Sequence, residues 1–222
     1  MWVLPSLNRA PRVLLLLDAM RATGLSTPGI VILGSDQHGD LTSLSLPHGW
    51  SACCRPRDDN CLTQVLNRFL REHPELPWYG LICDDNWPIT DEWDIKLIAA
   101  AMQSGISSCD DGWQAPKRMH SATVWRGDVL HCAGFWNPPI TRHFCGDDLW
   151  EDIGRRFGLW TCLMNVRVEH RHPRSPSKDR WELDSTNRSQ SEWAADDVAK
   201  FKAWKAGKEY AALIERFSAR GQ

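Results

Sequence analysis

The sequence is poor in tyrosine, with two residues against 13 tryptophans and six phenylalanines, and it has no CxxC pair, no long apolar run and no surplus of one charge. Each of these absences excludes a class of protein. The 26 basic and 28 acidic residues leave a formal net charge of −2 with no long block of like charge, so coating nucleic acid or an anionic membrane is not the main work of the chain. The aliphatic run Val13 to Leu17 is closed off by Arg12 and Asp18, far short of the roughly 20 residues a membrane span requires and of a secretory core segment. Eight cysteines, at 53, 54, 61, 83, 109, 132, 145 and 162, show no zinc-knuckle spacing, and several sit inside apolar runs where a thiol behaves as a small hydrophobe. A chain of 222 residues has enough core not to depend on disulfide staples, so these cysteines read as reduced. Reduced thiols without a membrane span predict a soluble, cytoplasmic protein of one domain, or one domain with a tail.

What is present alternates strand and helix through the first half, the pattern of an α/β sheet with helices on its faces. A short strand, Trp2 to Leu4, precedes a helix from about Ala10 to Ala22 with Pro11 in its first turn and Gly24 as its stop. Ile30 to Leu33 reads as a second strand, and residues 34–60, rich in Gly, Ser, Asp and Pro, as one long loop. Leu62, Val65, Leu66, Phe69 and Leu70 recur at helix spacing after a polar cap at Asp58-Asp59-Asn60. Trp78 to Cys83 is a near-continuous apolar strand of the kind buried on both faces, followed by a helix from Asp91 to about Gln103 that Thr90 caps and Gly105 stops. Ile106 to Cys109 reads as a further strand. In the second half, Ala122 to Trp125 and Val129 to Cys132 read as a hairpin around Arg126-Gly127-Asp128, Asp147 to Phe157 as a helix, and Trp160 to Val168 as a strand. Residues 173–190 are a polar loop, and Ser189-x-x-Glu192 forms a capping box for a helix carrying Trp193, Val198, Phe201 and Trp204. After Gly207 the pattern resumes with Tyr210, Leu213, Ile214 and Phe217.

Three clusters carry chemistry, each at the carboxyl end of a predicted strand or the start of a helix, where α/β enzymes hold their sites. Adjacent carboxylates at Asp84-Asp85-Asn86 repel unless a cation, an arginine or a proton relieves them, and hard oxygen ligands suit Mg²⁺ or Mn²⁺; a polar turn before Pro88 explains the same residues. His170 and His172 point to one face if their strand continues, which brings both within reach of one metal or phosphate. Gly146-Asp147-Asp148-Leu149-Trp150 opens a helix, where Asp is an ordinary cap and also a candidate general base.

Taken in order, Leu4-Pro5-Ser6-x-Asn8-Arg9, Ser35-Asp36, the block from Tyr79 through Asp84-Asp85 to Trp93-Asp94, Gly134-Phe-Trp136, Gly146-Asp147-Asp148-x-Trp150 and His170-x-His172 resemble a GT-A fold glycosyltransferase of the family 2 type. The resemblance implies an α/β, GT-A-like single domain over residues 1–185 with a mixed, mostly parallel central sheet flanked by helices, and a C-terminal helical extension over 186–222 packed on it. It places Pro5, Ser6, Asn8, Arg9, Asp36 and Asp84 at the nucleotide. Its Asp-x-Asp metal motif appears here as Asp84-Asp85-Asn86, with Asp84 and Asp85 favoured over Asn86, and its distal histidine maps onto His170 or His172. Its base maps onto Asp148 first and Asp147 second. The cofactor implied is a divalent cation, Mn²⁺ or Mg²⁺, with a nucleotide-sugar, UDP-sugar foremost, as co-substrate. In-line displacement at the anomeric carbon, with an Asp taking the acceptor's proton, inverts that centre. Arg171, Arg174, Lys178 and Arg180 suit a lid over the diphosphate, and equally a solvated loop.

Two other classes compete with this reading. A metal-dependent nucleotidyltransferase normally has a Gly-rich, basic loop after its first strand, and Pro5-Ser-Leu-Asn-Arg-Ala-Pro11 lacks the glycines. A non-catalytic carbohydrate or nucleic-acid binding module is suggested by the tryptophans, most of which sit at core-like spacing; Trp87, Trp136 and Trp150, beside the motifs, are the ones placed to bind an acceptor. The acceptor itself is open: a glycan, a small molecule, a protein side chain, or a hydroxymethylated base in DNA. For a DNA acceptor Arg55, Arg57, Lys117, Arg118, Arg155 and Arg156 supply local phosphate contacts.

Overall fold

The computed structural model describes the backbone of residues 1–7, 9–34, 45–55, 61–119 and 122–220, and the side chains of all of these except 55 and 185–191. Asn8, Asp36 and the cap expected at Asp58-Asp59-Asn60 lie outside the described residues. The described strands are β1 (Trp2–Leu7), β2 (Gly29–Gly34), β3 (Trp50–Arg55), β4 (Trp78–Leu81), β5 (Asn86–Pro88), β6 (Ile106–Asp110), β7 (Thr123–Arg126) and β8 (Trp160–His170). The described helices are α1 (Ala10–Ala22), α2 (Leu62–Glu72), α3 (Trp93–Ser104), α4 (Gly127–Ala133), α5 (Gly146–Phe157), α6 (Ser185–Lys205) and α7 (Lys208–Arg220). They form one sheet in the order β3-β2-β1-β4-β7-β6-β8-β5. The run β3-β2-β1-β4 is parallel, β7 is antiparallel to both neighbours, β6 and β8 are parallel, and β5 closes the edge antiparallel to β8. The architecture is therefore the expected mixed, mostly parallel α/β sheet.

Side chains alternate across this sheet and fill a core on each face. Trp2, Leu4, Val31, Leu33 and Val124 pack with α1 and α3 through Leu16, Met20, Trp93 and Leu97. Val3, Ile32, Tyr79 and Trp125 point the other way, against Leu66 and Phe69 of α2, Val129 of α4, Leu149 of α5, and Phe201 and Leu213 of the last two helices. The tryptophans are mostly structural: Trp2 lies 4.7 Å from Trp93 between ring centroids, and Trp125 lies 5.5 Å from Trp136 and 6.1 Å from Trp150.

Several elements depart from the sequence pattern for identifiable reasons. The first strand runs on to Leu7 through Pro5, because Pro5 turns its backbone to the same side as Met1 and Val3, and β4 has already ended there; the missing N–H leaves no ladder bond broken. A strand, β3, lies inside the segment expected to be loop; its Cys53 and Cys54 gave no β-branched signal, yet all six of its residues pair with β2. The expected hairpin around residues 126–128 does not form. Arg126 is extended, Asp128 sits in the first turn of α4, and Gly134 ends that helix in the left-handed region. The helix after Thr90 starts at Trp93, and the Thr90 hydroxyl instead accepts the Arg167 N–H at 2.8 Å. Helix α6 starts at Ser185, four residues ahead of the expected capping box. Among the described residues no helix is long and apolar enough to cross a membrane.

Candidate active site

Asp84 and Asp85 leave the sheet just past the carboxyl end of β4. The turn that presents them is closed by the Asn86 side chain, whose Oδ1 accepts the Cys83 N–H at 2.9 Å, while the Asn86 N–H returns to the Cys83 carbonyl at 3.0 Å. Asn86 is thereby committed to the backbone, and the two carboxylates before it remain for chemistry. Asp84 is buried and accepts from Ser6 Oγ at 2.5 Å and from Arg9 Nη1 at 3.1 Å. Burial pushes its carboxyl up to about 6, against the pull of Arg9 and with a push from Asp85. Arg9 also forms a two-pronged pair with Asp184, and Arg12 joins that carboxylate at 3.0 Å. Burial works against the Arg9 charge, and Asp184 and Asp84 outweigh it, holding its pKa above the ordinary value.

Asp85 faces the other way, towards His170. The antiparallel pairing of β5 with β8 sets Asn86 opposite His170, and His170 Nε2 lies 3.2 Å from Asp85 Oδ2. Burial would raise the Asp85 carboxyl, but His170, His172 and Arg9 hold it down at about 2. Burial would lower the His170 ring, but Asp85 and then Asp111 hold it above its ordinary value. His172 lies two residues past β8; its ring stacks on Trp113 at 5.9 Å and 18°, and burial holds it below the ordinary value.

These groups border a cleft of about 490 Å³ whose other walls include Pro5, Ser6, Arg9, Trp113, His143, Asp147 and Arg174. Asp147 opens α5 at the macrodipole's positive end. It is reached by cleft solvent, yet the protein packed around it, with Asp148 beside it, pushes its carboxyl up to about 6. His143, also on the cleft, is driven down to about 4 by burial. The segment bearing it is pinned from α6: Asp197 accepts the N–H groups of Arg142, His143 and Phe144 at 2.9, 2.8 and 2.9 Å.

The residues expected from sequence thus divide. Pro5, Ser6, Arg9, Asp84, Asp85, His170, His172 and Asp147 share the one cleft. Asp148 does not border it; its side chain is 41% exposed and paired with Arg118. Trp136 has no exposed surface, packed against Tyr79 and Trp125, and is corrected here from acceptor contact to core. Trp150 reaches the cleft only by an edge, with its Nε1 bound to the Trp136 carbonyl at 2.6 Å, and Trp87 lies off the cleft under the Arg171 guanidinium at 4.0 Å. Sequence reasoning passed over Asp111 and Trp113. The Asp110-Asp111-Gly112 triplet, which spans the end of β6, reads as a plain turn, and the one available signal was its position at a strand's carboxyl end.

Among the described residues no three His, Cys, Asp or Glu side chains converge at metal-ligand spacing. Asp84, Asp85 and His170 on one wall therefore do not form a protein cage. Their chemistry fits a cation that keeps its waters and is held by one or two carboxylates together with a substrate's phosphates.

No protein-family model and no curated protein sequence matches the chain. Many solved structures share its fold. The mannosyltransferase PcManGT from Pyrobaculum calidifontis, solved with GDP-Man and Mn²⁺, aligns with a TM-score of 0.63 over 97% of this chain and 67% of its own, at 12% identity. The Rv0371C protein of Mycobacterium tuberculosis H37Rv, solved with manganese, aligns with a TM-score of 0.50 over 86% of this chain and 96% of its own, at 13% identity. The fold is GT-A-like α/β, as the motif order implied.

Proposed function

We propose that the protein is a metal-dependent glycosyltransferase that moves a sugar from a nucleoside-diphosphate donor to an acceptor hydroxyl with inversion, as the family 2 resemblance implies. The observation that carries this reading is the sharing of one cleft by the Asp84-Asp85 pair, with its Arg9 and His170 partners, and Asp147. Groups suited to a cation and a phosphate, and a carboxylate suited to act as a base, thus border the same space. The fold shared with a mannosyltransferase solved with GDP-Man and Mn²⁺ supports the same reading.

In this scheme the nucleoside lies along Pro5, Ser6 and Arg9, at the ends of β1 and the start of α1. Asp84 and Asp85, with His170 or His172, would hold a divalent cation, which would neutralise charge on a nucleoside diphosphate leaving group. Arg9 and Arg174 add positive charge on the same cleft. Asp147, ionised above about pH 6, accepts the proton of the attacking hydroxyl, a role favoured over Asp148 by the cleft position of Asp147 and the Arg118 pairing of Asp148. The donor is a UDP-sugar or a GDP-sugar.

The test is a binding and hydrolysis screen of nucleotide-sugars with and without Mn²⁺. Mn²⁺-dependent binding of a nucleoside-diphosphate sugar, lost in Asp84→Ala and Asp85→Ala, is the expected result. Absence of such binding, or its survival in both variants, overturns the reading; formation of a nucleotide-sugar from a nucleoside triphosphate and a sugar phosphate would move the protein to the nucleotidyltransferases.

A further inference from the structure

Trp113 is the most exposed tryptophan among the described residues, 38% open to solvent, and the proposed chemistry does not use it. It stands in the turn that follows β6, and that turn is firmly held. Asp111 is 3% exposed, and its Oδ1 accepts three backbone N–H groups, from Trp113 itself at 2.9 Å, Gln114 at 2.6 Å and Ala115 at 3.1 Å. The His172 ring braces the indole by stacking on it at 5.9 Å between centroids. A side chain ordered in advance loses little freedom on meeting a ligand. Beside it lies a second cavity, of about 220 Å³, which shares Trp113 and His170 with the main cleft and is walled further by Arg167, Glu169, Ser175 and Lys178. Ser175 is 2% exposed, and its Oγ has no hydrogen-bond partner among the described residues. A buried hydroxyl left unpaired costs stability, so its retention points to a partner from outside the chain. The charges around this space cancel, with Arg167 and Lys178 set against Asp111 and Glu169. An ionised guest of either sign therefore meets a like charge, whereas a neutral guest rich in hydroxyls meets both donors and acceptors.

We propose that the second cavity is an acceptor subsite that takes one neutral sugar ring, with the ring's apolar face on Trp113 and its hydroxyls among Ser175, Glu169 and Lys178. A sugar ring joins a C–H face, which an indole covers, to a rim of hydroxyls that both donate and accept. The cavity is smaller than the roughly 300 Å³ at which pockets for drug-sized ligands begin, which suits one ring and not a chain of them. Trp113 borders both spaces, and Asp147 lies close enough to His170 for its charge to act on that ring. A saccharide seated in the cavity thus extends past Trp113 towards the proposed base. The inference rests on the glycosyl-transfer reading only in calling the ring an acceptor; the sugar site is a property of the cavity alone.

The experiment measures binding of the methyl glycosides of glucose, galactose, mannose and N-acetylglucosamine to the whole protein by saturation-transfer difference NMR, without metal or nucleotide. At least one is expected to bind with millimolar affinity. Trp113→Ala is expected to weaken that binding roughly tenfold, through loss of the covered ring face. Ser175→Ala is expected to weaken it roughly fivefold, through loss of one hydrogen bond, and yet to melt no lower than the wild type, because the hydroxyl removed had no partner in the free protein. Failure of all the glycosides to bind overturns the proposal, as does binding that either variant leaves unchanged. Tighter binding of glucuronic acid or glucosamine than of glucose overturns the neutral class of ligand. If the glycosides bind as expected but no nucleotide-sugar binds with Mn²⁺, the sugar site stands and the glycosyl-transfer reading falls. If a nucleotide-sugar binds and its sugar passes to an acceptor without a sugar ring, at equal rate in Trp113→Ala, the reading stands and the subsite falls.

Discussion

Arg9 and Asp184, 175 positions apart in the chain, meet through two hydrogen bonds, Nε to Oδ2 at 2.7 Å and Nη2 to Oδ1 at 2.8 Å. Arg9 simultaneously reaches Asp84 through Nη1, so one guanidinium ties the turn after β1, the carboxylate after β4 and the approach to α6. Its planar fork suits this double duty in a way a lysine does not.

Arg9→Ala leaves the buried Asp84 without its cation and is expected to destabilise the fold by about 3 kcal/mol at pH 8, read from urea denaturation. Asp184→Ala removes a partner that is 30% exposed and is expected to cost about 1 kcal/mol or less. Equal losses in the two variants would show that Asp84 does not depend on Arg9.

Asp147→Asn is expected to keep donor and metal binding and to lower transfer by roughly 10²- to 10⁴-fold. Asp148→Asn, which disturbs the pair with Arg118 and the contact with Cys145, is expected to keep most of the activity. Steady-state transfer with the donor identified by the screen separates the two, and the opposite order would return the base to Asp148.

The raised Asp147 carboxyl sets two pH dependences. Transfer is expected to show an acidic limb with an apparent pKa near 6, where the base gains its proton. For stability the sign is that of an acid whose folded pKa exceeds its unfolded value of 3.8. The folded state holds the proton more tightly, so stability is lost as pH rises from the unfolded value through about 6 and stays level above. Asp147→Asn removes that loss, so its gain in melting temperature is expected to be larger at pH 8 than at pH 4.5; an equal gain at both would place the carboxyl at its ordinary pKa.

Gly80 in β4 sits against the Trp2 ring, and a Cβ built there would lie 2.4 Å from a ring carbon. Trp2 has no room to withdraw: it is fully buried, bonded through Nε1 to Thr27 Oγ1 at 3.0 Å and packed on Trp93. Gly80→Ala is expected to cost about 1 to 3 kcal/mol in denaturation, and a neutral result would mean that β1 and β4 can part without penalty.

How far the residues announced this arrangement depends on whether the signal was local. Helices α1, α2 and α5 were legible because their apolar spacing lies within one segment, with Gly24 after α1 and Gly158 after α5 as local stops. Strand β3 was not, because Trp50-Ser-Ala-Cys-Cys becomes a strand only through the whole length of β2 beside it. Helix α4 was missed for a related reason: Gly127 looks like a turn glycine, but its lack of a side chain serves a close approach to the Leu76 carbonyl, 2.4 Å from where a Cβ would stand. In the site, Asp84, Asp85 and His170 were found as acidic and histidine clusters at strand ends. Asp111 was not, since nothing in Asp-Asp-Gly tells that three amides and a histidine from β8 will close around the second carboxylate. The choice between Asp147 and Asp148 likewise turns on which face of α5 meets the cleft, and Arg118 comes from outside the helix.

The grip of Asp197 on residues 142–144 gives the molecule an order of assembly during synthesis. A chain emerges from the ribosome amino end first, and domains take shape as their parts arrive. Arg9 and both carboxylates after β4 are made early, but the partner of Arg9 comes at Asp184, and the segment leading into Asp147 has its three N–H groups unclaimed until Asp197 appears. A nascent chain halted after β8 would carry most of the reactive groups with neither anchor. Competence to hold a ligand therefore arrives only once the chain has been made as far as α6.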